Sequence, residues 1–124
     1  AVSLVVPERV DSVLARYASR SYFDDLLDVG VALYRYRDGL LHTKSITVDG
    51  EMAMFGTANL DMRSLWLNYE VVLFVYDPAF TRELTALQKT YIAASDRLGP
   101  EKWAARSSTE RFAENAARLI SPLL

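Results

Sequence analysis

Cysteine is absent from the 124 residues, and histidine occurs once, as His42. The first absence excludes disulfide staples, thiolate zinc sites and a cysteine nucleophile. The second leaves a zinc ion only His42 and carboxylates, a poor ligand set for that metal, so metal catalysis is set aside and no cofactor is expected. No run of 18 or more apolar residues is present, and the opening AVSLVVPERV has neither the charged head nor the cleavage signal of a secretory peptide. The chain by itself therefore reads as soluble. An excess of basic charge is missing too: 14 Lys and Arg face 16 Asp and Glu, a net of −2. Non-specific nucleic-acid binding leaves a basic stripe, so nucleic acid is not an expected partner. Of the basic residues 11 are Arg and only 3 Lys, and Arg is the better fork for phosphate.

What is present is the composition of a folded domain, 51% apolar and 24% charged, at a length that suits one core rather than two. Residues 1–124 are read as a single domain. The chain starts without Met and enters at once on the apolar run Val2–Val6, which leads us to expect further sequence upstream.

Val2–Val6 reads as a buried strand ended by Pro7. Val10, Val13, Leu14, Tyr17 and Ala18 recur at helical spacing, and Phe23, Leu26 and Leu27 continue this or start a second short helix, closed by Gly30. Val31–Arg35 is a strand before the turn Asp38-Gly39. Leu41–Val48 alternates, Asp49-Gly50 is a hairpin turn, and Met52–Phe55 returns. Residues 57–67 have no clean period and read as a loop or short irregular helix. Tyr69–Tyr76 looks like a central strand. Asp77-Pro78 caps a helix to about Ser95, Gly99-Pro100 breaks it, Glu101–Arg106 is a short helix, and Ser107-x-x-Glu110 is a capping box for a last helix to about Ile120. The simplest assembly is α/β: a mixed β-sheet flanked by helices on both faces.

In the strand 41–48, His42 and Lys44 fall on one face with Cα atoms roughly 6–7 Å apart, so imidazole and ammonium can reach one phosphate-sized group. An imidazole nitrogen is a nucleophile near neutrality, and a fixed cation beside it stabilises a pentacovalent phosphorus transition state. A lone His on a half-apolar strand is by itself more often structural.

The context changes that balance. HTKSITVDG resembles the HxKxxxxDG signature of the phospholipase D superfamily, with His42, Lys44, Asp49 and Gly50 in the marked places. The three-residue pattern would arise by chance in roughly one chain of this length in a hundred. Gly56-Thr57-Ala58-Asn59 is similar to the family's G-[ST]-x-N element, and Asn59-Leu60-Asp61-x-Arg63-Ser64 with Leu67-Asn68-x-Glu70 resembles the version in bacterial cardiolipin synthases. The resemblance runs from Leu4-Val5-Val6-Pro7 to the closing Ser121-Pro122-Leu123-Leu124, which is similar to the C-terminal end of those synthases.

The resemblance implies that the chain is the second of two motif-bearing halves, partnered by an N-terminal HxKx4D half or by a second copy in a dimer. It implies phosphatidyl transfer through a phosphohistidine, the other half's His protonating the leaving alcohol. Phosphatidylglycerol is then both donor and acceptor, and the full-length protein is attached to the bacterial membrane. Carried over by residue, His42 is nucleophile or general acid, Lys44 and Asn59 bind the non-bridging phosphate oxygens, Thr57 is a hydroxyl beside them, and Glu70 accepts a hydrogen bond from the His ring. Asp49 is counted with the catalytic set, though a turn Asp-Gly is common for backbone reasons alone. Gly50 and Gly56 satisfy backbone conformation or close approach. Within the same family the alternatives are a phospholipase D hydrolase or a nuclease-type homodimer; outside it, a non-catalytic lipid-binding fragment.

Two further features stand near the motif. Leu60, Met62, Leu65, Trp66 and Leu67 make an unusually apolar connection, read first as packed into the core and otherwise as a contact for acyl chains or the bilayer interface. Tyr34, Arg35, Tyr36 and Arg37 are either the entrance for a headgroup or a solvated strand end.

Overall fold

The computed structural model describes residues 1–10 and 12–120, with the side chains of Met62, Arg63 and Ile120 left aside. The closing segment 121–124 that entered the family resemblance lies outside the described residues. In chain order the elements are β1 (Ser3–Pro7), α1 (Val13–Arg20), α2 (Phe23–Asp28), β2 (Ala32–Tyr36), β3 (Ser45–Val48), β4 (Met52–Gly56), α3 (Met62–Trp66), β5 (Val72–Val75), α4 (Pro78–Ala93), β6 (Ser95–Arg97), α5 (Pro100–Ala104) and α6 (Ser108–Ile120). The class is α/β, as the alternation of patterns indicated, with the strands in two three-stranded sheets. No described helix is long and apolar enough to cross a membrane.

The described residues fall into two compact units, one of residues 1–41 with the stretch from Ala94 onward and one of His42–Ala93. In the first unit β2 lies between β1, which it pairs in parallel, and β6, which it pairs antiparallel. The parallel register sets Leu4 against Leu33 and Val6 against Arg35. Leu33 is fully buried and packs with Phe23, Leu98 and Trp103, while Leu4, Val6, Leu26, Leu27 and Val31 surround them. Strand β6 escapes a periodicity reading because Ser-Asp-Arg has no apolar alternation. Its ladder to β2, from Tyr34↔Arg97 to Tyr36↔Ser95, is what delivers Leu98 to the core.

Local signals explain the joints. Helix α2 ends with Gly30 at φ 83, Gly30 N–H donating to Leu27 C=O at 3.0 Å and Val31 N–H to Leu26 C=O at 3.0 Å, the two bonds of a Schellman cap. Helix α6 opens with the reciprocal capping box: Glu110 N–H donates to Ser107 Oγ at 3.3 Å, and Ser107 N–H to Glu110 Oε2 at 3.2 Å. A buried ion network then ties this unit's helices together. Glu114 on α6 sits between Arg20 (3.1 Å) and Arg106 (2.9 Å), Arg106 also pairs with Asp24 on α2, and the Arg106 guanidinium lies 4.1 Å from the centre of the Trp103 ring.

In the second unit β4 is central, paired antiparallel with β3 and β5. Strand β5, read from its apolar run as central, is an edge of this sheet; Leu73 and Phe74 are exposed. Helix α4 starts at the Asp77 cap, whose carboxylate accepts from Ala79 N–H at 2.8 Å, and it covers the sheet face of Thr47, Ala53 and Phe55. Ala53 is fully buried there, Phe55 stacks on Phe80 at 5.7 Å, and Gln88 bridges Thr47 (2.8 Å) and Ser45 (3.1 Å).

Candidate active site

All six residues of the expected site lie in the second unit, His42–Ala93. The β3–β4 ladder fixes their starting point. Ser45 pairs with Phe55, and one more bond, Gly56 N–H to Lys44 C=O at 3.2 Å, extends the ladder to Lys44. Beyond Gly56 the chain turns to β5 instead: Thr57 N–H donates to Val71 C=O at 3.0 Å. Residues 42 and 43 consequently have no partner strand, and the strand expected from Leu41 begins only at Ser45. Lys44 keeps the face of Ile46 and Val48, whereas His42 is exposed in the segment that leads in. The ammonium of Lys44 folds back over that segment, Nζ donating to the His42 carbonyl at 3.2 Å. An ammonium has three N–H groups, so two remain for a phosphate.

Gly56 shows why the sequence has glycine at this crossing. A Cβ built there would stand 2.1 Å from the Val71 carbonyl oxygen and 2.9 Å from Val72 Cα, so any larger residue would push β5 away. The close approach carries Thr57 to Glu70. Thr57 Oγ1 donates to Glu70 Oε2 at 2.5 Å and accepts from Val71 N–H at 2.9 Å. Ser64 Oγ, buried on α3, donates to Glu70 Oε1 at 2.8 Å, and Asn68 adds a longer bond of 3.4 Å to the same oxygen. These hydroxyl donors, Thr57 first and Ser64 second, hold the Glu70 carboxyl below its ordinary value of 4.5 against a smaller opposing effect of desolvation; Asn68 and the Lys44 charge act in the same direction. Glu70 is thus an oriented anion.

Among the described residues no hydrogen bond joins Glu70 to the His42 ring. Oε2 accepts only from Thr57 among the described residues, and a carboxylate oxygen has two lone pairs, so one acceptor position on it stays open. Asn59 is exposed two residues past Thr57, and its side chain makes no hydrogen bond among the described residues. Asp49 is elsewhere, in the turn at the opposite end of the β3–β4 hairpin. Its φ of 50, with Gly50 at 76 and Glu51 N–H closing on Val48 C=O at 3.0 Å, is the geometry of a primed hairpin turn. Its side chain faces an open depression of about 460 Å³ shared with Thr47, Arg82, Thr85 and Lys89, which none of the other five lines.

Ser64 entered the sequence reading only as part of the family resemblance, not as a partner of Glu70. The signal for it was Asp61, whose carboxylate accepts from Ser64 N–H at 2.7 Å, a capping spacing that places Ser64 in the first turn of α3. The connection around it corrects an expectation: Leu60, Leu65, Trp66 and Leu67 are not packed in the core but exposed, Trp66 to 76%, and Tyr69 is exposed beside them. Three consecutive strands cannot bury both faces against one helix, so the apolar side chains that follow β4 find no cover in this unit. Arg35 and Arg37, read as a possible entrance, pair with Glu8 at 3.8 Å and Asp96 at 3.4 Å in the first unit.

An oriented carboxylate, a lysine whose ammonium folds over the His42 carbonyl, and an exposed histidine all lie in the second unit. Residues 1–91 match the family described as cardiolipin synthase, phospholipase D-like domain. The chain belongs to that family. It is 48% identical over 123 residues to cardiolipin synthase A of Serratia proteamaculans (strain 568), and 47% over 123 residues to the proteins of that name from Erwinia tasmaniensis and Klebsiella pneumoniae subsp. pneumoniae. Each match covers 99% of this chain and 25% of the relative, so the chain spans about a quarter of the length of the curated relatives it matches. No solved structure matches.

Proposed function

We propose that residues 1–124 form one phospholipase D-like domain that supplies one of two HxKx4D motifs to a phosphatidyltransferase making cardiolipin from phosphatidylglycerol. The observation that carries the reading is the fixed carboxylate of Glu70, held by Thr57 and Ser64, with the Lys44 cation near enough to act on it. A histidine that alternates between neutral and charged forms needs such an anion to set its tautomer and favour its imidazolium.

In the transfer, one imidazole nitrogen attacks phosphorus while the bond to the leaving glycerol oxygen breaks, and the imidazolium of the other motif gives that oxygen a proton. A hydroxyl of a second phosphatidylglycerol then attacks the phosphohistidine, its proton passing back to the second imidazole. His42 fills one of these two roles. Lys44 and Asn59 donate to the non-bridging oxygens, where negative charge grows at the transition state. Thr57 stands beside them and, through its bond to Glu70, ties the phosphate-binding turn to the anion. Asp49 contributes from the hairpin turn, by holding the loop that aligns β3.

One histidine per chain leaves the other role to a partner. The relatives' remaining three quarters have room for a second motif-bearing half, and a second copy in a dimer is the other source. A phosphatidyl group also brings acyl chains with its phosphate, and the exposed Leu60, Leu65, Trp66, Leu67 and Tyr69 supply apolar surface between Asn59 and Glu70 in the sequence. Attachment of the complete protein to the bacterial membrane follows from the same reading. The experiment is to trap the intermediate with headgroup-distal labelled phosphatidylglycerol on the complete protein. Label held by wild type and lost in His42→Ala assigns the nucleophile to His42; label retained at the wild-type level removes that role and leaves the acid. Product analysis separates cardiolipin formation from hydrolysis to phosphatidic acid and from cleavage of single-stranded DNA.

A further inference from the structure

A second cluster of chemistry lies wholly in the first unit. At the carboxyl ends of the parallel strands β1 and β2, Val6 and Arg35 are register partners, and the crevice outside them is a cavity of about 180 Å³. Three arginines line it, Arg16 and Arg20 from α1 and Arg35 from β2, together with Ser19 and, among the described residues, one carboxylate, Glu8. Carboxyl ends of parallel strands in α/β sheets are where ligands are received.

Among the described residues lining the crevice, three arginines face one carboxylate. Glu8 lies 3.8 Å from an Arg35 terminal nitrogen, beyond hydrogen-bond range, and Arg35 Nε is buried with no acceptor among the described residues. Leaving a buried donor unmatched carries its full desolvation cost, and such a group in a native fold calls for an occupant. Arg20 turns its Nε to Glu114 at 3.1 Å with its guanidinium 5.1 Å from the centre of the Trp103 ring, and Arg16 is exposed, its guanidinium 5.4 Å from the centre of the Tyr17 ring. Three arginines lining a small crevice, with Glu8 the one lining carboxylate among the described residues, suit a tetrahedral oxyanion, which accepts from several forks at once.

We propose that this crevice is a second phosphate-binding seat, with Arg35 as its central donor and Arg16 and Arg20 at its sides. Its ligand is a phosphate group, carried by a lipid headgroup or free in solution. None of its residues belongs to the HxKx4D motif, so the proposal goes beyond the transferase reading and does not depend on it.

The test uses the 124-residue chain carrying Lys44→Gln, which removes the motif's own phosphate cation. Calorimetric titration with inorganic phosphate at low ionic strength is expected to show saturable binding, weakened roughly tenfold or more when Arg35→Gln is added, as loss of a charge-assisted hydrogen bond requires. Arg16→Gln, an exposed change that leaves the core alone, should weaken it in the same direction and guards against misfolding of the Arg35 variant. Dihexanoyl-phosphatidylglycerol below its micellar concentration distinguishes the source: competition with phosphate assigns the seat to a headgroup, and its absence assigns it to free phosphate. No saturable binding in Lys44→Gln, or binding unchanged by both arginine substitutions, overturns the proposal.

Discussion

Thr57 and Glu70, thirteen residues apart, are joined by a hydrogen bond of 2.5 Å across the crossing from β4 to β5. The bond links two segments that flank different strands: the G-T-A-N turn after β4, which carries Asn59, and the Glu70 carboxylate just before β5. Gly56 permits it by letting the Val71 backbone come close, and Ser64 completes it from α3.

Removing that hydroxyl should therefore be felt at Glu70. In Thr57→Val, which keeps the shape, the Glu70 carboxyl is expected to titrate closer to 4.5 than in wild type, as followed by carbon NMR of the labelled side chain. The sign for stability follows from the lowered folded value: the contribution of Glu70 is complete above about 4.5 and is lost as pH falls through the folded value beneath it. The variant should lose part of that acid-dependent component. Identical titration curves in the two proteins would contradict the role given to Thr57.

Glu70→Gln keeps the size and the bonds that a carbonyl oxygen can accept, so the fold should survive while the anion is gone. In the complete protein, turnover is expected to drop by roughly tenfold or more, in the range of general acid–base contributions, with a displaced pH profile. A pH–rate profile unchanged in height and position would reject Glu70 as the residue that sets the histidine.

Gly56→Ala places a methyl where 2.1 Å separates it from a backbone oxygen that belongs to the edge strand. Overpacking of this kind costs about 1–3 kcal/mol. Urea denaturation should show a lower midpoint. Proton exchange should quicken at Thr57 and Val71, whose amides lie at the crossing. A midpoint within error of wild type would mean that β5 moves aside freely.

How much of this could be seen in the sequence depended on the range of the interaction. Turn and cap signals were legible because they act within a few residues: Asp49-Gly50, Asp77-Pro78 and the Ser107–Glu110 box all lie where their chemistry put them. The motif itself was legible, but its geometry only in part. Alternation continued the strand back to Leu41, whereas the partner strand turns away after Gly56 and leaves His42 outside the ladder. Strand β6 was invisible because Ser95–Arg97 is defined by pairing with β2 and not by its own side chains. The apolar connection 60–67 misled for a related reason: hydrophobicity states what a residue avoids, and not whether the chain has enough surface to cover it. Ser64 needed the knowledge that α3 turns back on Glu70, which no local pattern contains.

The helical ion network gives a stability prediction free of the site. Arg106 is nearly buried, with Glu114 on one side and Asp24 on the other. Arg106→Ala leaves the Glu114 carboxylate buried with only Arg20 against it, and breaking such a pair costs about 3–5 kcal/mol. Hydrogen bonding to Arg106, partly opposed by desolvation, holds the Asp24 carboxyl below 3.8, so its contribution is present above that pH and lost as pH falls through the folded value. In the variant that acid-labile part should vanish along with the larger loss, measured as urea midpoints between pH 3 and 7. A loss under about 1 kcal/mol would show that water replaces the arginine at Glu114.

The exposed apolar connection can be read by its own reporter. The chain has two tryptophans, Trp66 on the surface at 76% exposure and Trp103 in the core at 5%. Only the first can change surroundings without unfolding. If the surface between Asn59 and Glu70 meets lipid, vesicles of phosphatidylglycerol should shift the emission to shorter wavelength, and Trp66→Phe should abolish the shift while leaving the Trp103 spectrum in place. Trp and Tyr favour the headgroup level of a bilayer, and each leucine buried there adds roughly 1.5–3 kcal/mol at full burial, so Leu65→Asp with Leu67→Asp should weaken vesicle binding by at least tenfold. Emission of wild type unchanged by vesicles, with phosphatidylglycerol still turned over by the complete protein, would assign this surface to a protein contact and not to lipid.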